Sequence, residues 1–246
     1  MSMEVLCLTT GRVRGKRSAR GPRRYLPGGW SPETLPVNVF AVSHPSGLCL
    51  FDAGQSARAA SAGYVPRWHP FLRLASFELG PGDEAAAQLA ARSIEPSAVR
   101  WVVLSHLHTD HVGGLAPFRG AEVVVSRIEW ERSRGLAGRL RGYVPRHWPS
   151  GLEPRVVDFD GPPLRPFPAS LDLAGDGSLV LVPTPGHTPG HLSLLVRGGG
   201  RSYLLGGDVC HSAADLAPGL ARFCAEQDVV FLAAHDPLAA ELAGGR

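Results

Sequence analysis

Apolar positions in this chain gather into short runs separated by turn-rich, polar stretches. Val5-Leu6-Cys7-Leu8, Trp101-Val102-Val103-Leu104, Leu179-Val180-Leu181-Val182, Tyr203-Leu204-Leu205 and Val229-Val230-Phe231-Leu232 are the clearest. Runs this short, bounded by turn signals, predict buried strands. The pattern predicts strands near residues 4–9, 36–43, 47–52, 101–105, 122–126, 155–159, 178–183, 192–197, 201–206 and 228–233. Arg197-Gly198-Gly199-Gly200-Arg201 reads as the turn of a hairpin. Helices are predicted from Asp83 to Arg92, from Ser126 to Arg134, and from Pro218 to about Gln227. Ser126 and Glu129 have capping-box spacing, in which each side chain satisfies a backbone donor left free at a helix start. Pro218 suits a first helical position. Strands come mostly in pairs with helices interspersed. No linker stands out, so residues 1–246 are read as one domain.

Several of these runs stop at residues that bind metals. Trp101-Val102-Val103-Leu104 leads to His106-Leu107-His108-Thr109-Asp110-His111, three imidazoles and a carboxylate in six positions. Leu179–Val182 leads to Pro183-Thr184-Pro185-Gly186-His187-Thr188-Pro189-Gly190-His191, Tyr203–Leu205 to Gly206-Gly207-Asp208, and Val229–Leu232 to Ala233-Ala234-His235. Strand ends feeding loops are where a rigid scaffold presents reactive groups. In extended backbone alternate side chains share a side, so His106, His108 and Asp110 are expected to converge, with a turn at His111 adding a fourth group. Nitrogen and oxygen donors of this kind suit zinc or a similar first-row ion.

His106-Leu107-His108-Thr109-Asp110-His111, the His187 of Pro185-Gly186-His187-Thr188-Pro189-Gly190-His191, Asp208 and His235 together resemble the metallo-β-lactamase superfamily of binuclear hydrolases. Phe51-Asp52-Ala53-Gly54 matches the early Asp-x-Gly turn of that family, and the stretch from Thr184 to His191 looks most like its N-acyl homoserine lactone lactonase branch. The resemblance implies an α+β fold, a four-layer αββα sandwich of two mixed sheets. It implies two divalent ions per chain, zinc by preference, with His106, His108 and His187 at one, Asp110, His111 and His235 at the other, and Asp208 bridging them. A hydroxide held between the ions would open a lactone ring, and Asp110 would pass a proton to the departing alkoxide. Asp52 and His191 would orient ligands from behind. His211 departs from the branch pattern, which has a tyrosine three residues after the bridging Asp. It is expected to face the metals and donate to the substrate carbonyl or oxyanion. Two alternatives stay open: hydrolysis of thioesters, aryl esters or phosphoesters on the same scaffold, and a non-catalytic metal-binding member.

Composition narrows the partners. A chain of 246 residues with 44% hydrophobic content can bury a sizeable core. No apolar run approaches the ~18–20 residues needed to cross a bilayer, so no membrane partner is expected. Val5-Leu6-Cys7-Leu8 is too short for a signal-peptide core. Cys7, Cys49, Cys210 and Cys224 show no CxxC spacing and read as free thiols of a cytoplasmic protein. Residues 11–24 hold seven cations (Arg12, Arg14, Lys16, Arg17, Arg20, Arg23 and Arg24) and no acid, which leaves the rest of the chain mildly acidic. With no aromatic residues interleaved and no basic continuation, that run reads as a solvated loop, not a nucleic-acid surface. Two aromatic stretches share a Gly-Tyr-Val-Pro-Arg opening, 63–71 and 142–149. Their Tyr64, Trp68, Phe71, Tyr143 and Trp148 are candidates for a substrate pocket wall, or else anchor long loops to the core. His44, His69 and His147 read as loop or surface histidines, not ligands. A small-molecule ester or lactone is the expected partner, with a homodimer left open.

Overall fold

Trp101 and Val103 face one hydrophobic cluster, Val102 and Leu104 another, which is why this segment is apolar at every position. The computed structural model describes residues 3–15, 29–65, 75–198 and 200–244. The first sheet contains β1 (Val5–Gly15), β2 (Leu35–Val42), β3 (Leu48–Phe51), β4 (Ala75–Glu78), β5 (Val99–Val103), β6 (Glu122–Ser126) and β7 (Arg155–Val157), in the order β4-β1-β2-β3-β5-β6-β7. The second contains β8 (Leu171–Asp172), β9 (Leu179–Pro183), β10 (Leu192–Val196), β11 (Ser202–Gly207) and β12 (Val229–Ala233), in the order β12-β11-β10-β9-β8. Both are mixed: β3, β5, β6 and β7 pair in parallel, as do β11 and β12, and the other pairings are antiparallel.

The core between the sheets draws Phe40, Phe51, Trp101 and Val103 from one and Leu181, Leu194, Leu205 and Leu232 from the other. Outside the first sheet, α1 (Ala85–Ala90) contributes Ala85 and Leu89, and α2 (Thr109–Val112) contributes Val112. Next in the chain come α3 (Arg127–Arg132) and α4 (Gly135–Leu140). Outside the second sheet, α5 (Pro218–Glu226) lays Leu220 and Phe223 onto Val182, Leu204 and Phe231. The last helix, α6 (Ala239–Gly244), closes one end of the inter-sheet core with Ala239 and Ala243. The layers are therefore helix, sheet, sheet, helix, as expected. Each fully buried Leu or Phe in these cores contributes about 1.5–3 kcal/mol of transfer free energy.

Several expectations need correction. β4 and β8 were not foreseen: one is an edge strand with alternating exposure, the other only two residues long, and neither makes an apolar run. The helices α2, α4 and α6 span one to two turns, too short to establish a helical period. The basic stretch does not begin as a loop. Residues 11–15 complete β1, where Val13 pairs with Leu35 and Phe77, and Arg12 and Arg14 flank it. Lys16, Arg17, Arg20, Arg23 and Arg24 lie outside the described residues, as do Trp68, His69 and Phe71. Only half of the expected capping box forms: Ser126 accepts the Glu129 N–H at 3.2 Å, but the Glu129 carboxylate is engaged elsewhere.

Candidate metal centre

Four strand ends from the two sheets meet at one edge of the sandwich. After β5 the chain runs free for five residues and then turns into α2 at Thr109. His106 and His108 therefore stay together, whereas Asp110 and His111 share a helical turn, from which His111 still lies beside His106 with ring centroids 4.1 Å apart. The expected convergence of His106, His108 and Asp110 does not occur, because the backbone is helical at Asp110. His106, His108 and His187 form one group with ligand atoms within 4.8 Å of one another, and Asp110, His111 and His235 form a second. Asp208, just past β11, lies between them. Its Oδ2 is 3.3 Å from His187 Nε2 and 4.0 Å from His106 Nε2. Its Oδ1 is 3.2 Å from His111 Nε2 and 3.3 Å from His235 Nε2.

The outer hydrogen bonds fix which imidazole nitrogens face inward. His108 Nε2 lies 3.0 Å from the Arg141 carbonyl and His235 Nδ1 lies 2.7 Å from the Pro36 carbonyl. A carbonyl only accepts, so these nitrogens donate, and in the neutral ring the opposite nitrogen is the one with the lone pair. His111 Nδ1 donates to Asp52 Oδ2 at 2.8 Å, leaving its Nε2 free in the same sense. Ser105 Oγ donates to Asp52 Oδ2 at 2.9 Å, so it accepts from His106 Nδ1 at 3.0 Å and turns His106 Nε2 inward. His106 Nε2, His108 Nδ1 and His187 Nε2 consequently crowd together, with 3.0 Å steps from His108 to each of the others.

Electrostatics divides the site. Burial and neighbouring imidazoles hold His106 well below the usual histidine range, and burial together with His187 brings His108 down to about 4. Burial opposes charge on His111 and His235 too, but Asp208 outweighs it with help from Asp110. His111, which also faces Asp52, rises well above the usual range and His235 to about 9. Burial would raise Asp208, yet His235, His111 and His187 keep it well below the carboxylate range. His111 Nε2 and Asp208 Oδ1 are buried, 3.2 Å apart, and in hydrogen-bond geometry with nothing among the described residues. An orphaned buried nitrogen and oxygen, aimed at the same space as several imidazole lone pairs, are what a dication would satisfy. The donor set fits first-row metals.

The remaining candidates fall into three groups. Asp52, at φ +64° and buried, accepts from Ser105 N–H, Ser105 Oγ and His111. His191 has both nitrogens occupied, Nδ1 with Thr184 Oγ1 at 2.9 Å and Nε2 accepting the Asp208 N–H at 3.1 Å, so it braces Asp208 without facing a metal position. His211 is exposed, and no hydrogen bond, ion pair or ring contact ties it to the clustered residues. Tyr143 is buried with its ring 5.0 Å from that of His108, and borders a cleft of about 340 Å³ with Arg141, His187 and Thr188. Tyr64 and Trp148 instead line a separate cleft with Leu115 and Phe118. His44 bonds Ser178 at 3.0 Å, away from the centre.

His147 is not a surface residue. It is buried, stacks on Tyr64 at 3.6 Å, and bonds Thr109 Oγ1 at 2.7 Å. Sequence reasoning also missed Ser105, Thr188 and Glu129. The spacing that marked Glu129 as a helix start was the one signal available for it.

A family model described as the metallo-beta-lactamase superfamily matches residues 32–220. The chain is 33% identical over 175 residues to the N-acyl homoserine lactonase AttM of Azorhizobium caulinodans, a match covering 66% of this chain and 60% of that protein. It is 35% identical over 190 residues to a probable metallo-hydrolase of Mycobacterium tuberculosis, covering 74% of this chain and 59% of that one. The chain thus matches about three fifths of the length of these relatives. A solved N-acyl homoserine lactone hydrolase, with the product N-hexanoyl-L-homoserine at its catalytic metal center, superposes with a TM-score of 0.71 at 20% identity, covering 98% of this chain and 96% of that one. A dizinc quorum-quenching lactonase superposes with a TM-score of 0.65 at 16% identity, covering 96% and 88%. At these identities the structural likeness is one of fold.

Proposed function

The chain belongs to the metallo-beta-lactamase superfamily, and on that premise we propose that it is a metal-dependent hydrolase that opens lactone rings, with N-acyl homoserine lactones as the favoured class. The observation that carries the proposal is the position of Asp208, one carboxylate oxygen toward each histidine group. His106, His108 and His187 would hold one ion, Asp110, His111 and His235 a second, and Asp208 both. Zinc suits these donors. When bound, such a pair brings the pKa of water from about 15.7 towards about 7 and polarises a carbonyl oxygen, so it supplies nucleophile and electrophile at neutral pH.

The chain's own residues orient and move protons around that chemistry. Asp52 and Ser105 hold the His106 and His111 rings in the required tautomers. His191 pins the Asp208 backbone. Among the described residues Asp110 makes no hydrogen bond that would consume its carboxylate, and its Oδ2 lies 3.7 Å from His235 and 3.9 Å from His111. In this reading it takes a proton from the attacking water and hands it to the leaving alkoxide of the opened ring. His187 is the most exposed of the clustered side chains, at 35%, so the cleft it shares with Arg141 and Tyr143 is the approach for substrate. The lactonase names of several relatives support the lactone class. Four free cysteines, all with thiol pKa values raised by burial, support a reducing cytoplasm.

Turnover of zinc-reconstituted protein against a panel of acyl homoserine lactones, thioesters, aryl esters and phosphodiesters tests the proposal. Ring opening to the hydroxy acid is expected to dominate. Preference for a phosphodiester or thioester by a factor of ten or more would transfer the assignment to that ester.

A further inference from the structure

Glu129 is fully buried, and a carboxylate without solvent requires hydrogen-bond partners. Each oxygen accepts from a different loop, and the Tyr143 hydroxyl and Gly190 N–H also bear on the carboxylate. Oε1 accepts the Leu107 backbone N–H at 2.9 Å, and Oε2 accepts the Thr188 hydroxyl at 2.8 Å. Leu107 sits between His106 and His108, and Thr188 follows His187. These three histidines constitute one of the two groups in the metal centre. Among the described residues no hydrogen bond joins Glu129 to Asp110, His111 or His235.

The two loops leave different sheets, one after β5 and the other between β9 and β10. Nothing in either strand alone sets the distance between them. The start of α3 bridges them, alongside the Leu192 N–H to Ser105 carbonyl bond at 3.0 Å that joins the same two segments. Ser126 Oγ donates to the Gly190 carbonyl, and a Cβ at Gly190 would overlap the Glu129 backbone nitrogen, so the His187 loop lies flush on the helix that carries Glu129.

We propose that Glu129 is a positioning residue that sets the spacing of His106 and His108 against His187, and so governs one of the two metal positions and not the other. The proposal rests on the two-metal reading given above. Its effect is local: the carboxylate holds two loops in register, while His111 and His235 are oriented by Asp52 and the Pro36 carbonyl, neither of which bonds Glu129 among the described residues.

The test is cobalt(II) titration of metal-free full-length protein, read by d–d absorption and chelator competition, for the parent, Glu129→Gln, Thr188→Val, Thr188→Ser and His187→Ala. The parent is expected to bind two equivalents. Glu129→Gln keeps the shape but turns an amide N–H toward one of two donors. Loss of such an outer partner typically weakens metal binding about 10–100-fold. One equivalent is expected to weaken by that factor with a changed spectrum, and it should be the one that His187→Ala loses. The other equivalent should be unchanged. Thr188→Val should reproduce the effect, and Thr188→Ser, which retains the hydroxyl, should restore parental binding. Equal weakening of both equivalents, or no weakening of either, would overturn the proposal. So would a loss confined to the equivalent that His187→Ala retains. A parent that binds fewer than two equivalents would overturn both this proposal and the two-metal reading. A parent that binds two but opens no lactone removes only the substrate class.

Discussion

His111 donates its Nδ1 proton to Asp52 at 2.8 Å, and Asp52 holds that proton from a left-handed backbone position, φ +64°, at the end of β3. The same carboxylate accepts Ser105 N–H and Ser105 Oγ at 2.8 and 2.9 Å. One buried group thereby fixes the tautomers of His106 and His111, which belong to different halves of the centre. Asp52→Ala strands these donors, at about 1–3 kcal/mol for each one left buried and unpaired. Metal affinity is expected to fall about 10–100-fold at both positions. Chelator competition measures this, and an unchanged affinity would show that the tautomers are set without Asp52.

Metal removal should lower stability as well as activity. His111 and His235 are buried against Asp208, and His111 Nε2 and Asp208 Oδ1 lack a hydrogen bond among the described residues. Free metal at one hundred times its dissociation constant adds about 2.7 kcal/mol per site to the folded state. Thermal melting with and without chelator is expected to separate by several degrees. Elemental analysis of the reconstituted protein should find close to two ions per chain, and one or fewer would end the binuclear reading.

Asp110 and His211 carry opposite expectations. Asp110→Asn retains the shape but cannot receive and return a proton, and acid–base steps typically contribute about 10²–10⁴-fold. A loss of kcat in that range is expected, with KM little changed. His211 is exposed and tied to none of the clustered side chains, so His211→Ala should leave kcat close to the parental value. A collapse of kcat in the alanine variant would place that imidazole over the substrate after all.

The two sheets were legible because their central strands are buried on both faces, which forces an apolar residue at every position from Trp101 to Leu104 and from Leu179 to Val182. Candidate ligands were legible because His and Asp at strand ends have few structural uses. What the chain did not disclose is the work of residues that are ordinary in type. Ser105, Thr188 and Glu129 look like a loop serine, a loop threonine and a helix cap. Their roles arise from contacts between segments 20 to 60 positions apart, which no local pattern encodes. The short α2 was hidden for a related reason: one helical turn leaves no period, yet it decides which group Asp110 joins.

Cysteine chemistry should depend steeply on pH. Burial pushes the Cys7 and Cys49 thiols up to about 12. The thiolate is the reactive form, so alkylation of the native protein should be slow at neutral pH and accelerate as pH rises toward that value. In the unfolded chain these thiols ionise near the ordinary value, about 8.5. Above it the unfolded state binds fewer protons than the folded one, so stability should decline as pH climbs. Mass spectrometry of iodoacetamide-treated protein checks the first effect, and rapid labelling of Cys49 at pH 7 would contradict it.

Gly207 tests how tightly the two sheets are locked beneath the metal centre. It ends β11, adopts φ +50° and immediately precedes Asp208. A Cβ there would lie 2.7 Å from Ser105 Cβ, 2.8 Å from Ser105 Oγ and 2.9 Å from His191 Nε2. Alanine in the left-handed region costs about 1–2 kcal/mol, and overpacking adds about 1–3 kcal/mol. Neither neighbour yields freely, since Ser105 is held by Asp52 and His191 by Thr184. Gly207→Ala should therefore destabilise metal-free protein by about 2–5 kcal/mol, which for a chain of this size lowers Tm by roughly 2–4 °C per kcal/mol. It should also weaken metal binding, because the displaced groups orient His106 and Asp208. Gly120→Ala is the control: nothing lies within 4 Å of its Cβ position, and its Tm should match the parent. If the two variants melt together, the close packing of β11 against the Ser105 loop has slack that its contacts do not suggest.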